Sequence, residues 1–344
     1  MRIVRHFTGV EGAARGAVVA LGNFDGLHRG HAAVLGEARR IARERAAPLG
    51  VVTFEPHPRD FFGRASVPFR LTPFRVKARL LAGAGVDVMY NLRFDAALAA
   101  MEAEDFITRV LVAGFQVRHV VVGPGFVFGK GRAGNDVLLR RRAAREGFGF
   151  TEIAAVHLGE RRCSSTEIRA SIRRGRVDEA AAMLGRPWEI EGRVHHGAGQ
   201  GQGLGFPTAN IALDHVLHPD AGIYAVRVGV AARARDAWRD GADWHDGAAY
   251  IGTRPTFAGR GLALEIFLLD YDGDLYDRRL RVAFIERVRG DRAFDGPESL
   301  KEQMMRDCAR VREILAVARE RGADAGGPIP SPPISNPSSN PPAA

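Results

Sequence analysis

The chain has 344 residues, more than one hydrophobic core usually organises, so two domains are expected. Apolar residues make up 46% and charged residues 26%, no apolar run is long enough to cross a bilayer, and MRIVRHFTGVEGAARG lacks the apolar stretch of a secretory signal, which together point to the cytoplasm. The formal charge of +9 is almost all arginine, interleaved with acids as in Arg39, Arg40, Arg43 and Glu44, so a nucleic-acid partner is not expected, and two cysteines exclude a disulfide framework or a cysteine-rich zinc site.

The first half alternates apolar runs with helical patterns. Val18 to Leu21 and Leu49 to Phe54 read as buried strands, with a helix from His31 to Ala46 between them. A helix from Phe74 to Leu81, a strand from Val86 to Tyr90, a helix from Ala103 to Val112 and a strand from Arg118 to Gly123 follow. Asn135 to Glu146 and Thr151 to Val156 add a helix and a strand, and Ser165 to Arg174 and Val177 to Leu184 add two more helices. This order predicts a Rossmann-like α/β domain, a parallel sheet with helices on both faces.

Gly185-Arg186-Pro187 marks the expected boundary, dividing the chain into residues 1–186 and 187–322. Beyond it, Glu189 to Val194, Ile223 to Val230, Gly247 to Ile251, Leu262 to Leu269 and Leu280 to Ile285 read as short strands without helices between them, hence an antiparallel β-barrel. Residues 231–246 read as a polar hairpin loop, and a last helix runs from about Pro297 to Arg319. Residues 323–344, rich in Pro and Ser, are expected to be disordered.

The string GNFDGLHRGH, Gly22 to His31, sits where the first strand ends and a helix begins. That junction in an open parallel sheet is where ligands bind. A glycine-rich turn lets a phosphate approach the backbone, and a helix start offers free N–H groups and a favourable dipole. His28 and His31, three apart, share a helical face, where protonated or hydrogen-bonding imidazoles can stabilise phosphate charge. Zinc would need further ligands that no nearby Cys or His supplies.

This string resembles the HxGH nucleotidyltransferase signature as FMN adenylyltransferases carry it. Thr53-Phe54-Glu55-Pro56-His57-Pro58 and Ser164-Ser165-Thr166-Glu167-Ile168-Arg169 resemble two further blocks of that family, in family order. The resemblance implies catalytic roles for His28 and His31. It implies nucleotide binding by Gly22, Asn23, Phe24, Asp25, Gly26, Gly30, Ser164, Ser165, Thr166 and Arg169, and flavin binding by Phe54, Pro56, His57, Pro58 and Phe126. Hydroxyls, backbone N–H groups and an arginine in the third block suit a triphosphate. The segment Gly123-Pro124-Gly125-Phe126 departs from the family pattern, which has Asp or Asn at the position of Gly125.

In the second half, GAGQGQGLGFPTAN, Gly197 to Asn210, is followed by no helix, so it is not a dinucleotide fingerprint. Thr208 and Asn210 lie on one face of an extended segment, and a hydroxyl and an amide oxygen are hard ligands suited to Mg²⁺ with ATP phosphates. The string resembles the PTAN motif of riboflavin kinases. Arg254-Pro255-Thr256 and the strand carrying Glu265 resemble two further blocks. That resemblance implies Gly201, Gly203 and Gly205 as nucleotide-binding, Thr208 and Asn210 as metal ligands, Arg254 as flavin-binding, and Glu265 as the general base. Gln200, Gln202, Tyr250 and Phe267 depart from the pattern.

Taken over residues 15–315, the chain is identified as a member of the bifunctional riboflavin kinase/FMN adenylyltransferase family. The implied activity is phosphorylation of riboflavin to FMN in the second domain and adenylylation of FMN to FAD in the first. ATP is the co-substrate and Mg²⁺ the metal, with partners limited to small molecules and a homo-oligomer left open. The rival readings are a chain retaining one activity, or a flavin-binding regulator built on the same folds.

Overall fold

The computed structural model describes residues 1–63, 68–195, 206–213, 216–230, 243–256 and 259–322. Six short strands, β1 (Arg2–Val4), β2 (Val18–Leu21), β3 (Leu49–Glu55), β4 (Val88–Arg93), β5 (His119–Val122) and β6 (Gly149–Glu152), form one parallel sheet in the order β1-β4-β3-β2-β5-β6. Every residue of β2 and β5 is buried, as unbroken apolar strands require when helices cover both faces. The helices α1 (Arg29–Glu44), α2 (Phe74–Gly83), α3 (Asp136–Glu146), α4 (Ser165–Arg173) and α5 (Val177–Leu184) follow in chain order. Ala32, Val34, Leu35, Ala38 and Ile41 form the buried stripe of α1. The order reverses between β2 and β5, which makes their C-terminal ends the switch point of the sheet.

Several details of this half differ from the expectation, among them the unexpected short helices Pro58–Phe61 and Ala96–Ala99 and the hairpin of His157–Leu158 with Arg161–Arg162. The helix foreseen from Ala103 to Val112 is a short α-helical turn, Ala103–Asp105, that widens into a π-helix over Phe106–Gly114. An apolar stripe this short does not distinguish the two coils. Strand β6 spans Gly149–Glu152, because its pairing with β5 ends at Val122 opposite Glu152, and residues 153–156 line a cleft instead. The edge strand β1 was not foreseen, three residues being too few to show a period.

The second half is an antiparallel six-stranded barrel. Its strands are β7 (Trp188–Arg193), β8 (Ala209–Ala212), β9 (Gly222–Val230), β10 (Asp243–Thr256), β11 (Gly259–Leu268) and β12 (Arg279–Gly290), in the order β8-β11-β10-β9-β12-β7. A backbone bridge from His195 N–H to the Asn210 carbonyl, 2.9 Å, joins the two ends. Alternating residues fill the interior: Ile190, Val226, Ile251, Leu264, Ile266 and Val282 are all buried there. The polar loop expected over 231–246 is corrected at its end. Asp243 to Asp246 already pair with Val230 to Arg227, and Asp246 accepts from Arg227 and Arg319, so these polar residues belong to a strand; 231–242 lie outside the described residues, as does the 323–344 tail.

Helix α6 (Pro297–Glu320) packs Val311, Ile314 and Leu315 on Ala225 and Leu269, outside the barrel. The apolar sides of α4 and α5 (Ile168, Ile172, Met183, Leu184) belong to the same buried cluster as the barrel interior. At this seam Arg79 of α2 meets Glu189 at 2.9 Å and Glu191 at 3.3 Å on β7, and Arg281 of β12 closes on Glu189 at 3.0 Å.

Candidate active sites

β2 ends at the centre of the parallel sheet, and the chain turns through Gly22–Leu27 before α1 begins. His28 caps α1, its Nδ1 accepting from the His31 N–H at 3.3 Å. Gly30 makes room for that ring, since a Cβ there would stand 3.0 Å from the His28 imidazole and 3.2 Å from the Cys163 carbonyl oxygen. The two imidazoles stack, with centroids 3.8 Å apart. Burial pushes His28 down to about 4; Arg186, Arg169 and Arg162 add to this, and Asp25 opposes it. Burial also holds His31 well below the ordinary histidine range, helped by His28 and Lys77. Burial thus biases both rings towards the neutral form, which favours hydrogen bonding over the protonated alternative. His31 Nδ1 is buried with no hydrogen-bond partner among the described residues, a vacancy that a phosphate oxygen would satisfy.

The turn before His28 is held from below. The buried Asp25 carboxylate accepts from Leu71 N–H, Thr72 N–H, the Thr72 hydroxyl and Arg169 Nη2. Burial works to raise the Asp25 carboxyl, but Arg169, the Thr72 N–H and Lys77 outweigh it and hold it below the usual carboxylate range. Arg169 also donates Nε to the Phe69 carbonyl at 2.7 Å and Nη1 to the Ser165 carbonyl at 3.2 Å. Ser164 caps α4 by accepting from Glu167 N–H, and the Ser165 hydroxyl donates to the Asp25 carbonyl at 2.8 Å. The starts of α1 and α4 thus open into one polar cleft of about 400 Å³, with Asn23, His31, Gly125, Phe126 and Thr166 on its walls. Two helix N-termini converging on one cleft suit a polyphosphate.

The second cavity, about 210 Å³, lies between the barrel and α6. Across four adjacent strands Asn210, Glu265, Tyr250 and Ile223 stand in a row of direct cross-strand partners. Residues so paired share a face of the sheet. Asn210 Nδ2 donates to the Thr208 carbonyl at 3.3 Å, which leaves Oδ1 as its accepting end. Thr208, Glu265 and Tyr250 line the cavity at one side, and Phe267, Phe294 and Met304 provide an apolar wall. The Tyr250 hydroxyl donates to Asp291 Oδ2 at 3.2 Å, tying β10 to the segment that leads into α6.

Two separate clefts, a nucleotide-type helix junction and a barrel cavity carrying a carboxylate, coincide with two family matches. The profile of FAD synthetase matches residues 10–167 and that of riboflavin kinase residues 184–315. The chain belongs to the bifunctional riboflavin kinase/FMN adenylyltransferase family. The protein of that name from Pseudomonas fluorescens is 40% identical over 322 residues, covering 93% of this chain and 100% of the relative. That from Escherichia coli K12 is 38% identical, covering 93% and 99%. A solved structure described as a macrolide-efflux protein from Streptococcus pneumoniae is 26% identical, with a TM-score of 0.77 over 90% of this chain and 98% of that one.

Within this riboflavin kinase/FMN adenylyltransferase fold, most but not all of the expected residues line the two clefts, and Asn210 stands beside the second on β8. Gly22, Asn23, Phe24, Asp25, His28, Gly30, His31, His57, Phe126, Ser164, Ser165, Thr166 and Arg169 line the first cleft together, and Thr208 and Glu265 line the second. Gly26 lies behind the turn: with φ +89 and a Cβ position 2.8 Å from Leu71 Cδ1, it serves close packing. Several expected ligands have other tasks. The Asp25 carboxylate and the Arg169 guanidinium are spent on each other and on backbone, so they shape the cleft floor. Phe54 is packed into the core against Phe94 and Phe106. Pro56 follows a cis peptide bond, and Pro58 opens the short helix Pro58–Phe61, which His57 caps through its Nδ1. Gly201, Gly203, Gly205, Gln200 and Gln202 lie outside the described residues; Arg254 is described only as part of β10.

Sequence reasoning missed the cations around the first cleft and the α6 wall of the second. Arg59, Arg132 and Arg162 line the first cleft, but each is an isolated arginine in an arginine-rich chain. Leu300, Met304 and Cys308, spaced i, i+4, i+8, carry the wall and were legible as one helix stripe.

Proposed function

We propose that the chain makes FMN and then FAD, with residues 187–322 transferring the γ-phosphate of ATP to riboflavin and residues 1–186 transferring AMP from ATP to the FMN phosphate. The observation that carries the reading is Glu265 standing directly opposite Asn210 and lining, with Thr208, the cavity beside it. Glu265 would take the proton of the ribityl hydroxyl as it attacks the γ-phosphate, in-line displacement being mainly a matter of positioning and charge. In the first cleft the neutral His28 and His31 imidazoles would donate hydrogen bonds to the α-phosphate and the departing pyrophosphate as charge builds there. The FMN phosphate attacks directly, and no covalent enzyme intermediate is needed.

Thr208 and Asn210 offer two neutral, hard oxygen donors, and among the described residues no group of three or more His, Cys, Asp or Glu could hold a metal ion. That donor set fits Mg²⁺ arriving with the ATP phosphates. When bound it would neutralise phosphate charge in the transfer. The substrates are small molecules, and the reading needs neither a nucleic-acid nor a membrane partner; among the described residues no helix is long and apolar enough to cross a membrane. The cytoplasm is the compartment the reading assumes.

The test is to incubate the pure chain with riboflavin, ATP and Mg²⁺ and separate the flavins by chromatography. FMN followed by FAD is expected. In Glu265→Ala, FMN formation should vanish while FAD still forms from supplied FMN. Loss of both activities in a folded variant would contradict this division of labour.

A further inference from the structure

The support behind the His28 turn comes from the junction between the two halves. Arg186 stands between α5 and β7, where Gly185, with φ +80, ends the helix. Its Nη2 donates to the Gly26 carbonyl at 2.8 Å and its Nη1 to the Leu27 carbonyl at 3.3 Å. These carbonyls belong to the two residues immediately before His28. Leu27 is fully buried at φ +45, a left-handed conformation that a leucine rarely adopts and keeps only when its surroundings hold it there. A planar guanidinium presents its donors in a rigid fork that meets two successive carbonyls at once.

The grip is reciprocal. Arg29, the first residue of α1, donates Nε to the Ala182 carbonyl of α5 at 2.8 Å. His28 is therefore flanked on both sides by residues tied to the same junction. Arg186 is not among the residues of the nucleotide-type cleft; it lines a separate groove of about 660 Å³ with residues of α5 and α6. Burial lowers Arg186 to about 10 and Glu189 opposes the shift, so the side chain stays cationic near pH 7.

We infer that Arg186 is a positioning residue for adenylyl transfer: by fixing the Gly26 and Leu27 carbonyls it sets where the His28 imidazole stands, without touching the nucleotide. The inference rests on the reading of the first cleft as the FMN adenylylation site. A residue acting this way should change the turnover of a bound complex more than nucleotide capture, because the phosphate-facing N–H groups of α1 and α4 remain.

The test uses the full-length chain and follows both reactions in one preparation. Arg186→Met should lower kcat for FAD formation from FMN by about 10- to 100-fold, the range a small misplacement of a reacting group produces, with a smaller change in the KM for ATP. FMN formation from riboflavin should stay within about twofold, since its residues are not part of the turn. Arg186→Lys should recover part of the loss, and low-millimolar guanidinium, admitted by the groove, should restore part of the kcat of Arg186→Ala. Wild-type kcat in Arg186→Met would overturn the inference. So would an equal fall in both reactions, which marks a role in folding alone. Absence of FAD synthesis by the unaltered chain would instead sink the reading of the cleft.

Discussion

Asn210 and Glu265 face each other directly across β8 and β11, and Tyr250 faces Glu265 from the other side on β10. Two side chains paired on adjacent strands of one sheet hold their separation without help from loops, as the proposed metal ligand and general base require. Glu265→Gln keeps the shape and removes the proton acceptor. It should lower kcat for FMN formation by about 10²- to 10⁴-fold while FAD formation from FMN is unchanged, as read by flavin chromatography.

Tyr250 joins that row to Asp291 through its hydroxyl. Tyr250→Phe keeps the ring and removes this bond. The expected result is a several-fold higher KM for riboflavin with kcat nearly retained, because the segment Asp291–Phe294 that lines the cavity loses one tether; Asp291→Asn, which can still accept, should behave closer to the wild type. Equal KM values in all three chains would show that the bond does not shape the cavity.

The stacked imidazoles predict an unusual titration. His28 lies at about 4 in the fold against 6.5 as its ordinary value, so the fold favours its neutral form. Its contribution to stability is complete above pH 6.5 and is lost as pH falls from 6.5 towards 4. The His28 ring resonances should show no midpoint near 6.5 by NMR. The urea midpoint of the wild type should fall over this window more than that of His28→Asn.

Asp25 and Arg169 form a buried pair under the same turn. Asp25→Ala would leave the guanidinium buried without its counter-charge, a loss of about 3–5 kcal/mol measurable by chemical denaturation. Because the folded Asp25 carboxyl lies below its ordinary value of 3.8, the stability it adds is present above that value and disappears as the pH falls further.

Gly125 has φ +71 and nothing within 4 Å of the position a Cβ would take. Asparagine tolerates this backbone region better than other side chains. Gly125→Asn should fold normally and place an amide at the cleft wall where the family has a polar group. A several-fold higher kcat/KM for FMN adenylylation is expected, and an unchanged value would make the glycine functionally equivalent.

The architecture was legible because its signals are local. Unbroken apolar runs gave the parallel strands, and closely spaced strand runs without helices between them, such as Ile223 to Val230 and Leu262 to Leu269, gave the barrel. The string from Gly22 to His31 placed the first cleft at a strand–helix junction, where it stands. What could not be read is non-local. Whether Asp25 and Arg169 face a ligand or each other depends on a contact spanning 144 positions, and the grip of Arg186 on Gly26 spans 160. The neutral state of the imidazoles depends on burial, which spacing alone does not give. Phe54, which the resemblance places at the ligand, packs against Phe94 and Phe106 in the core, the more general destination of an apolar residue in mid-strand.

Of the two helices between the sheet and the barrel, α4 points its N-terminal end at the first cleft, and both turn their apolar sides into the interior of the other half. A protein engineer dividing this chain before residue 184, where the second family match begins, would strip Ile168, Ile172 and Met183 from the barrel fragment and unplug its core. Dividing it at residue 167, where the first match ends, would instead take from the sheet fragment the Arg169 counter-ion and both latches around His28. Each product would be a piece with an open apolar wound and a tendency to clump, so swapping modules between relatives requires carrying residues 164–188 as shared property of both.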